Sequence, residues 1–337
     1  MCLNFLKHAK HVYLRNQSHN WSPCNGVLLN RISFMSSCND KNRHPRDEHI
    51  SLDVERHSYS IKGSSDSVTS VTTLLSQHFR KFDPEETINK NYIRWQKDGL
   101  NKYHRKSKED TRQTSKEDGE KARADFWQNR SNKYDGKSKE QIKQKWKEDG
   151  EKARSDGTRL HAAIESNYLG TASNDDYDKN TKEWKHFLSF QNEHKLEPYR
   201  TEWKIWSDYL KLAGTVDMLV KNKNNTLTIY DFKRVKDKIC KEEHNWGRFG
   251  IGPLSDIKDN KYNRYAMQLN IYRELLERYY GLDIASMRIV RLHPTASSFE
   301  VVEIPMMKDE TNGVLEQRRV HITGDRHSQE DVERSSH

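Results

Sequence analysis

The sequence predicts an α/β protein, and three patterns predict it. Between residues 202 and 233 the chain reads EWKIWSDYLKLAGTVDMLVKNKNNTLTIYDFK, in which three runs of apolar and β-branched residues are typical of strands. The runs that start at Thr181 (TKEWKHFLSFQNEHK) and that span 262–280 repeat apolar side chains at helical spacing. Two further strand-like runs, ASMRIVRLHP and FEVVEIP, follow the last of these helices. Strands and helices therefore alternate along one region of the chain.

Length and composition set the limits within which the rest is interpreted. The 337 residues are enough for one large domain or two small ones. The chain is 32% charged and 33% hydrophobic, with a mean hydropathy of −1.11, so parts of it are expected to pack poorly. A formal net charge of +9 fits a polyanionic partner. No apolar run approaches the roughly 18 residues of a membrane span, so no transmembrane helix is expected.

The two ends of the chain differ in composition from its centre. Residues 1–47 are basic and contain Ser, and the first acidic residue is Asp40, a composition that resembles a mitochondrial transit peptide. The alternative is a disordered extension of a nuclear or cytoplasmic protein. We therefore predict an N-terminal extension at 1–47, a folded domain at 48–307, and a disordered polar tail at 308–337.

The start of the folded domain carries a short strand and a helix. HSYSIKG is typical of a strand, and SVTSVTTLLSQHF is typical of a helix with Ser67 or Thr69 as its N-cap. We expect Phe79 and Phe82 to be buried. Asp83 and the proline after it indicate a turn into a second helix.

Residues 101–156 contain a duplication with a period of 31 residues. NKYHRKSKE and KEDGEKARAD in the first copy recur as NKYDGKSKE and KEDGEKARSD in the second. The second copy carries Ile142 and Trp146, an apolar pair that can pack on a core, whereas the first copy has Thr111 and Ser115 at those positions. We predict a structural helix in the second copy and a solvated insertion in the first.

GTRLHAAIESNYLG predicts the next helix, with Thr158 as N-cap and with Leu160 and Ile164 on its buried side. His161 and Glu165 lie four residues apart and therefore share a helical face. A helical histidine of this kind is either an ordinary surface or core residue or a metal ligand. In the second case Glu165 would orient the imidazole or hold a water molecule.

The strands between 202 and 233 carry the strongest chemical signal. Asp217 interrupts an apolar run, and Asp231 and Lys233 share one face of the following strand because side chains alternate. An antiparallel hairpin would bring Asp217 beside them. Two carboxylates suit Mg²⁺ or Mn²⁺, and a nearby ammonium suits a water molecule or a phosphoryl oxygen. Each residue alone would also fit a cap or a solvated surface.

Other polar residues could complete such a site. Glu202 would be either a further metal-site carboxylate or the partner of a basic residue such as Arg159. Gln268 and Tyr272 lie four apart on one helical face, and Gln268 could bind a phosphate or the attacking water.

The connection 234–261 is basic and contains glycine, as loops beside active sites often do. Trp246 and Phe249 could stack on bases, or Trp246 could instead pack on the sheet within an ordered loop. The residues predicted to contact the substrate are Arg159, Glu165, Arg234, Lys236, Trp246 and Arg248.

Five motifs occur in order along this region. They are GTxxH (Gly157, Thr158, His161), Glu202, GTxD (Gly214, Thr215, Asp217), DxK (Asp231, Lys233) and QxxxY (Gln268, Tyr272). Over roughly 56–305 the chain resembles the PD-(D/E)XK nuclease superfamily, specifically its RecB-like branch. It is similar to RecB-like domains of large DNA viruses and to mitochondrial genome-maintenance and lambda-type exonucleases.

The resemblance implies a mixed central β-sheet flanked by helices, with a restriction-endonuclease-like core. It implies metal-dependent hydrolysis of DNA, single- or double-stranded, by an exonuclease acting on replication, repair or recombination intermediates. One or two Mg²⁺ or Mn²⁺ ions would be bound by His161, Asp217, Asp231 and the carbonyl of Phe232. The remaining residues assigned to catalysis would be Lys233, which positions or activates water, together with Gln268, Tyr272 and Glu202.

Cysteine content bears on a further cofactor. Some RecB-like relatives hold an iron–sulfur cluster with four cysteines that flank the nuclease core. Of the four cysteines here, Cys240 alone lies within the predicted domain, so no cluster is expected. The absence of a CxxC pair also favours a reducing compartment. The competing hypothesis is a non-catalytic DNA- or RNA-binding protein built on a nuclease-like core.

Overall fold

The computed structural model describes residues 37–56, 58–109, 134–171, 177–242 and 247–335, with side chains except at 97–109 and 325–335. The helices are α1 (Cys38–Lys41), α2 (Val71–Gln77), α3 (Pro84–Glu109), α4 (Lys139–Leu169), α5 (Lys182–His194), α6 (Lys261–Tyr280) and α7 (Lys308–Ser335). The strands are β1 (Ile50–Asp53), β2 (Ser58–Ile61), β3 (Thr69–Ser70), β4 (Pro198–Ser207), β5 (Leu212–Lys221), β6 (Leu227–Lys233), β7 (Ile284–Arg291) and β8 (Glu300–Ile304).

The fold is α/β, with a mixed six-stranded sheet flanked by helices, which confirms the predicted class. β5 pairs antiparallel with β4 and with β6, β6 pairs parallel with β7, and β8 closes the sheet antiparallel to β7. β1 and β2 form a separate antiparallel hairpin. The three strands predicted between 202 and 233 are therefore confirmed, although the first begins earlier, at Pro198.

A gap in the ladder beside β5 positions the candidate site. β4 pairs with β5 from Leu212 to Val220 and so occupies one side of it along its length. The other side is shared by β3, at the start of β5, and by β6, which pairs only from Met218 onward. Among the described residues, the stretch 214–217 has no strand partner on that side. β5 and β6 therefore diverge there and form a fork.

Two helical layers cover the two faces of the sheet. Adjacent residues point to opposite faces of a strand, so Ile229 and Ile289 join one core with α2, α6 and α7. Tyr230 and Val290 join the second core, with α4 and α5. The GTxxH motif on α4 and the QxxxY motif on α6 therefore lie on opposite faces of the sheet.

Three predicted helix features are wrong. α4 runs unbroken from its N-cap Ser138 through Thr158, whose hydroxyl donates back to the carbonyl of Arg154. The N-cap of α2 is Ser70, because its side chain accepts a hydrogen bond from the amide of Thr73. Phe82 is 60% exposed, unlike the buried Phe79, and lies in the irregular segment between α2 and α3.

The two repeat copies differ in conformation over equivalent sequence. Residues 101–109 of the first copy continue α3, whereas in the second copy the equivalent residues from Tyr134 form a turn before the cap Ser138. Gly136 has a φ of +69°, which glycine adopts readily, and the first copy has Arg105 in its place. Residues 110–133, which hold the rest of the first copy, lie outside the described residues. Ile142 is fully buried, as the packing role of the second copy requires.

The predicted boundary at residue 47 is also wrong, because residues from Ser37 onward pack on β4. Asp47 Oδ2 accepts a hydrogen bond from Arg200 at 2.8 Å, and Asp47 Oδ1 accepts one from the indole of Trp203 at 2.7 Å. The side chain of Asn39 bonds both the amide and the carbonyl of Thr201. Polar residues that the sequence predicted to be an extension therefore form hydrogen bonds with β4 in the fold.

The predicted disordered tail at 308–337 is wrong over its described part, since 308–335 form α7. Val314 and Leu315 are buried in the first core. The guanidinium of Arg318 donates to the carbonyls of Leu210 and Ser67, at 3.0 and 2.7 Å. A few buried apolar residues and the hydrogen bonds of Arg318 therefore hold this polar helix against the rest of the domain.

We expect Val314→Ala to destabilise the protein by about 2 kcal/mol, because truncating a fully buried side chain loses transfer free energy and leaves a cavity. Val320→Ala in the same helix is the matched control. Val320 is 55% exposed, and its truncation should change stability by less than about 0.5 kcal/mol. Urea denaturation of both variants measures the difference. Equal effects would contradict the packing of α7.

Among the helices of the described residues, none is both long enough and apolar enough to cross a membrane.

Candidate active site

Asp217 lies at the point where β5 and β6 diverge. Its Oδ2 accepts a hydrogen bond from the amide of Phe232 at 2.8 Å, which replaces the ladder bond that ends at the pair Met218–Tyr230. The carboxylate is thus fixed by backbone rather than by a flexible partner. The antiparallel hairpin that the sequence predicted does bring Asp217 next to the DxK strand.

His161 and Glu202 meet Asp217 in the fork. Nδ1 of His161 lies 3.5 Å from Asp217 Oδ2 and 3.6 Å from Glu202 Oε1, while Nε2 lies 2.8 Å from the carbonyl oxygen of Phe232. One ligand atom from each of His161, Glu202 and Asp217 lies within 4.8 Å of the others. Glu202 therefore faces the cluster and lies beside the imidazole of His161.

Glu202 reaches the cluster through an unusual backbone conformation. Its φ is +43°, in the left-handed region, while the flanking residues Thr201 and Trp203 pair regularly with β5. For a residue other than glycine this conformation costs on the order of 1–3 kcal/mol and is concentrated at functional sites. The strand therefore carries local strain at the residue that supplies a carboxylate to the fork.

Asp231 and Lys233 form a buried ion pair beside this cluster. Lys233 Nζ lies 2.8 Å from Oδ2 and 3.0 Å from Oδ1 of Asp231, whose side chain is almost fully buried. The contact with Oδ1 is a hydrogen bond. Oδ2 makes a charge contact without an aligned hydrogen bond and is a buried oxygen with spare accepting capacity. The ring of Tyr265 lies 5.1 Å from Nζ.

The predicted metal set His161, Asp217, Asp231 and Phe232 is thus only partly assembled. The group whose ligand atoms converge contains Glu202 in place of Asp231. The reason is that Asp231 is held by the ammonium of Lys233, and the Phe232 carbonyl is in contact with His161.

Burial and like charges shift the ionisation of the cluster. Burial lowers the pKa of His161, but the charges of Asp217 and Glu202 outweigh it and raise the pKa to about 9. Burial raises the pKa of Asp217, and Glu202 adds to the rise, although His161 opposes it. Burial also raises the pKa of Asp231 to about 6 against the effect of Lys233. Several acidic groups thus share one buried place, and a positive charge is needed there.

Gln268 and Tyr272 support the site from α6. The Gln268 amide donates to the Tyr272 hydroxyl at 3.0 Å, and both side chains are buried. A Cβ on Gly214 would lie 2.5 Å from a ring carbon of Tyr272. The glycine of GTxD is therefore required by close packing, and these two residues are placed to position the fork.

We expect Gly214→Ala to destabilise the protein by about 1–3 kcal/mol, because the added methyl group collides with the buried ring of Tyr272. Gly150→Ala is the matched control, since nothing lies within 4 Å of a Cβ there, and alanine in the helix should stabilise by about 0.5–1 kcal/mol. Thermal denaturation of both variants tests this. A harmless alanine at 214 would show that Tyr272 does not fix β5.

The predicted substrate residues are dispersed. Glu165 faces the cluster, where burial and the charge of Glu202 raise its pKa. Arg159 lies over the ring of Tyr177 at 5.9 Å, and Lys236 and Arg248 are exposed. Trp246 lies outside the described residues.

Arg234 does not fit a phosphate-binding role. Its guanidinium lies 3.0 Å from Glu183 and 3.2 Å from Asp156, and only 14% of the side chain is exposed. Two carboxylates already compensate its charge. The two ion pairs instead join the residue that follows β6 to α4 and α5.

Tyr59 is a site residue that sequence reasoning missed. Its hydroxyl lies 2.9 Å from the hydroxyl of Thr215, two residues before Asp217. Burial raises its pKa, and the charges of Glu202 and Asp217 add to the rise, so the phenol stays neutral near the cluster. The strand pattern of HSYSIKG was visible, but the long-range pairing with Thr215 had no signal in the sequence.

The donors in the fork fit a divalent cation. Two carboxylates, one imidazole and a neighbouring carbonyl oxygen form a mixed oxygen and nitrogen set. Burial and the acidic groups gathered in the fork are the causes of the raised pKa values of Asp217 and His161.

Comparison with known proteins does not place the chain in a family. No protein-family model matches it, and no curated protein matches it. A solved structure described as "Crystal structure of SSO0001" is 16% identical, with a TM-score of 0.23 over 41% of this chain and 57% of that chain. The chain thus spans little more than half the length of that protein, and a similarity of this size carries no information about function.

Proposed function

We propose that the protein is a Mg²⁺- or Mn²⁺-dependent DNA nuclease of the RecB-like branch of the PD-(D/E)XK superfamily. The observation that carries the proposal is the meeting of His161, Glu202 and Asp217 in a strand fork next to the buried pair Asp231–Lys233. The motif order in the sequence supports the same assignment.

Each residue of the site would have its own role in phosphodiester hydrolysis. His161, Glu202 and Asp217, with the Phe232 carbonyl beside them, would hold the ion, which when bound supplies positive charge that polarises a phosphate oxygen. The ammonium of Lys233 would stabilise negative charge that develops on the phosphate. Asp231 fixes that ammonium at 2.8 Å. Water would form the new bond to phosphorus as the bond to the leaving oxygen breaks.

Cutting of DNA by the full-length chain tests the proposal. We expect end-labelled DNA to be cut in Mg²⁺ or Mn²⁺ and to stay intact in EDTA. Linear and circular substrates, single- and double-stranded, separate exonuclease from endonuclease action, and we expect linear DNA alone to be cut. Binding without cutting in every metal would contradict the proposal and favour the non-catalytic alternative.

A mitochondrial location is the part of the proposal that rests on the N-terminal sequence. Ser37 and the residues after it pack on β4, so a targeting segment would have to end before them. A fluorescent protein fused after residue 36 should then reach mitochondria. A diffuse signal would favour the nucleus or cytoplasm.

A further inference from the structure

Two chain segments meet beside the N-terminal end of α6. The segment that follows α2 contacts the loop 248–259, since the amide of Ile251 donates to the carbonyl of His78 at 2.7 Å. Arg264, in the first turn of α6, donates to the carbonyl of Arg80 at 3.5 Å. These contacts join residues distant in sequence into one continuous surface.

This surface exposes apolar side chains among cations. Phe82 is 60% exposed, Phe249 is 44% exposed and Ile251 is 48% exposed. A single exposed apolar residue is ordinary, but several together on ordered segments mark a contact region. We call it the aromatic–basic surface and define it by Arg80, Lys81, Phe82, Arg248, Phe249 and Lys258.

The charge of the surface favours an anion. Its four cations are exposed, and the same segments carry three carboxylates, Asp83, Asp256 and Asp259. Asp83 accepts a hydrogen bond from the amide of Glu86 at the start of α3, and Asp259 is paired with Arg264 at 2.7 Å. The four cations therefore outnumber the three carboxylates of these segments by one, around two exposed rings.

The loop that carries Phe249 is held in shape by its own contacts. The amide of Gly250 donates to the carbonyl of Ile257 at 2.9 Å, and Leu254 is fully buried beneath it. A ring presented from an ordered loop loses little conformational freedom when a ligand binds. Phe249 is thus kept in solvent by the fold itself.

The surface leads to the fork. Arg264 contacts Arg80, and the next residue of α6, Tyr265, places its ring 5.1 Å from Lys233 Nζ. The aromatic–basic surface and the buried ion pair therefore both contact the first turn of α6. A strand bound on the surface would lie beside the end of α6 that carries Tyr265.

We propose that the aromatic–basic surface binds single-stranded nucleic acid through stacking on Phe82 and Phe249 and phosphate contacts from the cations around them. Exposed rings select single strands, because the bases of a duplex are already stacked on each other. The proposal deepens the proposed function and rests on it only for the statement that the bound strand reaches a cutting site.

Fluorescence anisotropy in EDTA tests the surface without any cutting. The probe is a labelled oligothymidylate, compared with a duplex of equal length, bound to the full-length protein. We expect tighter binding of the single strand. Phe82→Ala and Phe249→Ala should each weaken it by about tenfold, as expected for one lost base–aromatic stack.

Controls separate recognition from folding. Phe82 also packs on Trp146 at 5.5 Å between ring centroids, so Phe82→Trp, which keeps an aromatic face, should retain most of the affinity. Tyr209→Ala removes a ring that is 53% exposed elsewhere and should leave binding unchanged. Arg80→Ala should reduce the slope of the logarithm of the binding constant against the logarithm of salt concentration by about one, the change expected for one lost phosphate contact.

Unchanged single-strand affinity in Phe82→Ala and Phe249→Ala would overturn the inference, as would equal losses for single strand and duplex. The result is independent of the nuclease proposal. If the wild type cuts no DNA but the variants lose single-strand binding, the binding surface is supported and the nuclease proposal is wrong. If the wild type cuts DNA and both variants bind normally, the nuclease proposal is supported and the binding surface is wrong.

Discussion

Asp231→Asn combined with Lys233→Met is expected to abolish DNA cutting and to leave the protein folded. The two side chains form one buried ion pair, and replacing such a pair by neutral groups of similar volume is often neutral for stability. The double variant removes the ammonium that would stabilise charge on the phosphate. We expect the cutting rate to fall by at least about 100-fold.

The double replacement separates a loss of activity from a loss of structure better than either single replacement does. Lys233→Ala alone would leave Asp231 buried without its cation, and breaking a buried pair from one side costs about 3–5 kcal/mol. A loss of activity would then be confused with a loss of structure. In the double variant, thermal denaturation should show a folded protein.

A surface ion pair provides the matched control. Asp208→Asn with Lys211→Met removes a pair 2.7 Å apart in the turn between β4 and β5, and both side chains are more exposed than those of the buried pair. We expect its cutting rate to equal that of the wild type. If the fork variant also cuts DNA at the wild-type rate, the assignment of Asp231 and Lys233 is wrong.

Divalent ions are expected to offset the loss of stability that the protein shows at high pH without them. The folded pKa of His161 is raised to about 9 from an ordinary value of 6.5. Stability from its protonated form is therefore fully present below pH 6.5 and is lost as pH rises through 9. In EDTA this loss should be on the order of 3 kcal/mol, because each pKa unit corresponds to about 1.4 kcal/mol.

Mg²⁺ or Mn²⁺ should offset that loss, because the ion replaces the charge of the imidazolium beside Asp217 and Glu202. At about 100 times its dissociation constant an ion stabilises the folded state by about 2.7 kcal/mol. Unfolding is measured against pH in EDTA and in each metal, for the wild type and for His161→Gln. The variant should lose this part of the pH dependence, since it has no ring to titrate.

Two results would contradict the metal site. In one, neither ion stabilises the protein at any pH. In the other, His161→Gln keeps the full wild-type pH profile, which would assign the titration to another group.

Asp231 affects stability at lower pH than His161 does. Its pKa is raised from 3.8 to about 6, so the stability that comes from its protonated form is lost as pH rises through 6.

The elements of the fold could be predicted from local pattern. The strands β5 and β6, the helix α5 with its N-cap Thr181, and the long helix α6 all follow from alternation or helical periodicity within a few residues. α7 could not be predicted in this way. Its few buried side chains are separated by polar residues, so its sequence has the pattern of a solvated segment. The buried positions can be recognised only from their contacts with the core.

The site was predictable as residue types but not as a geometry. Asp217 and Asp231 stood out because carboxylates are rare inside apolar strands, and the order of motifs added His161 and Glu202. The left-handed conformation of Glu202, which turns its carboxylate to the cluster, leaves no trace in sequence spacing. Nor does the hydrogen bond that links Tyr59 to Thr215 across 156 positions of the chain.

The sequence by itself determined most of the strands and helices and the residue types available for chemistry, because these follow from periodicity and from side-chain chemistry at neighbouring positions. Only the tertiary structure decided where β5 and β6 part and which side chains enter the fork. The fork exists because β3 and β6 occupy different ends of the same side of β5. Strand neighbours of this kind are chosen by the packing of the whole core, which no local pattern records.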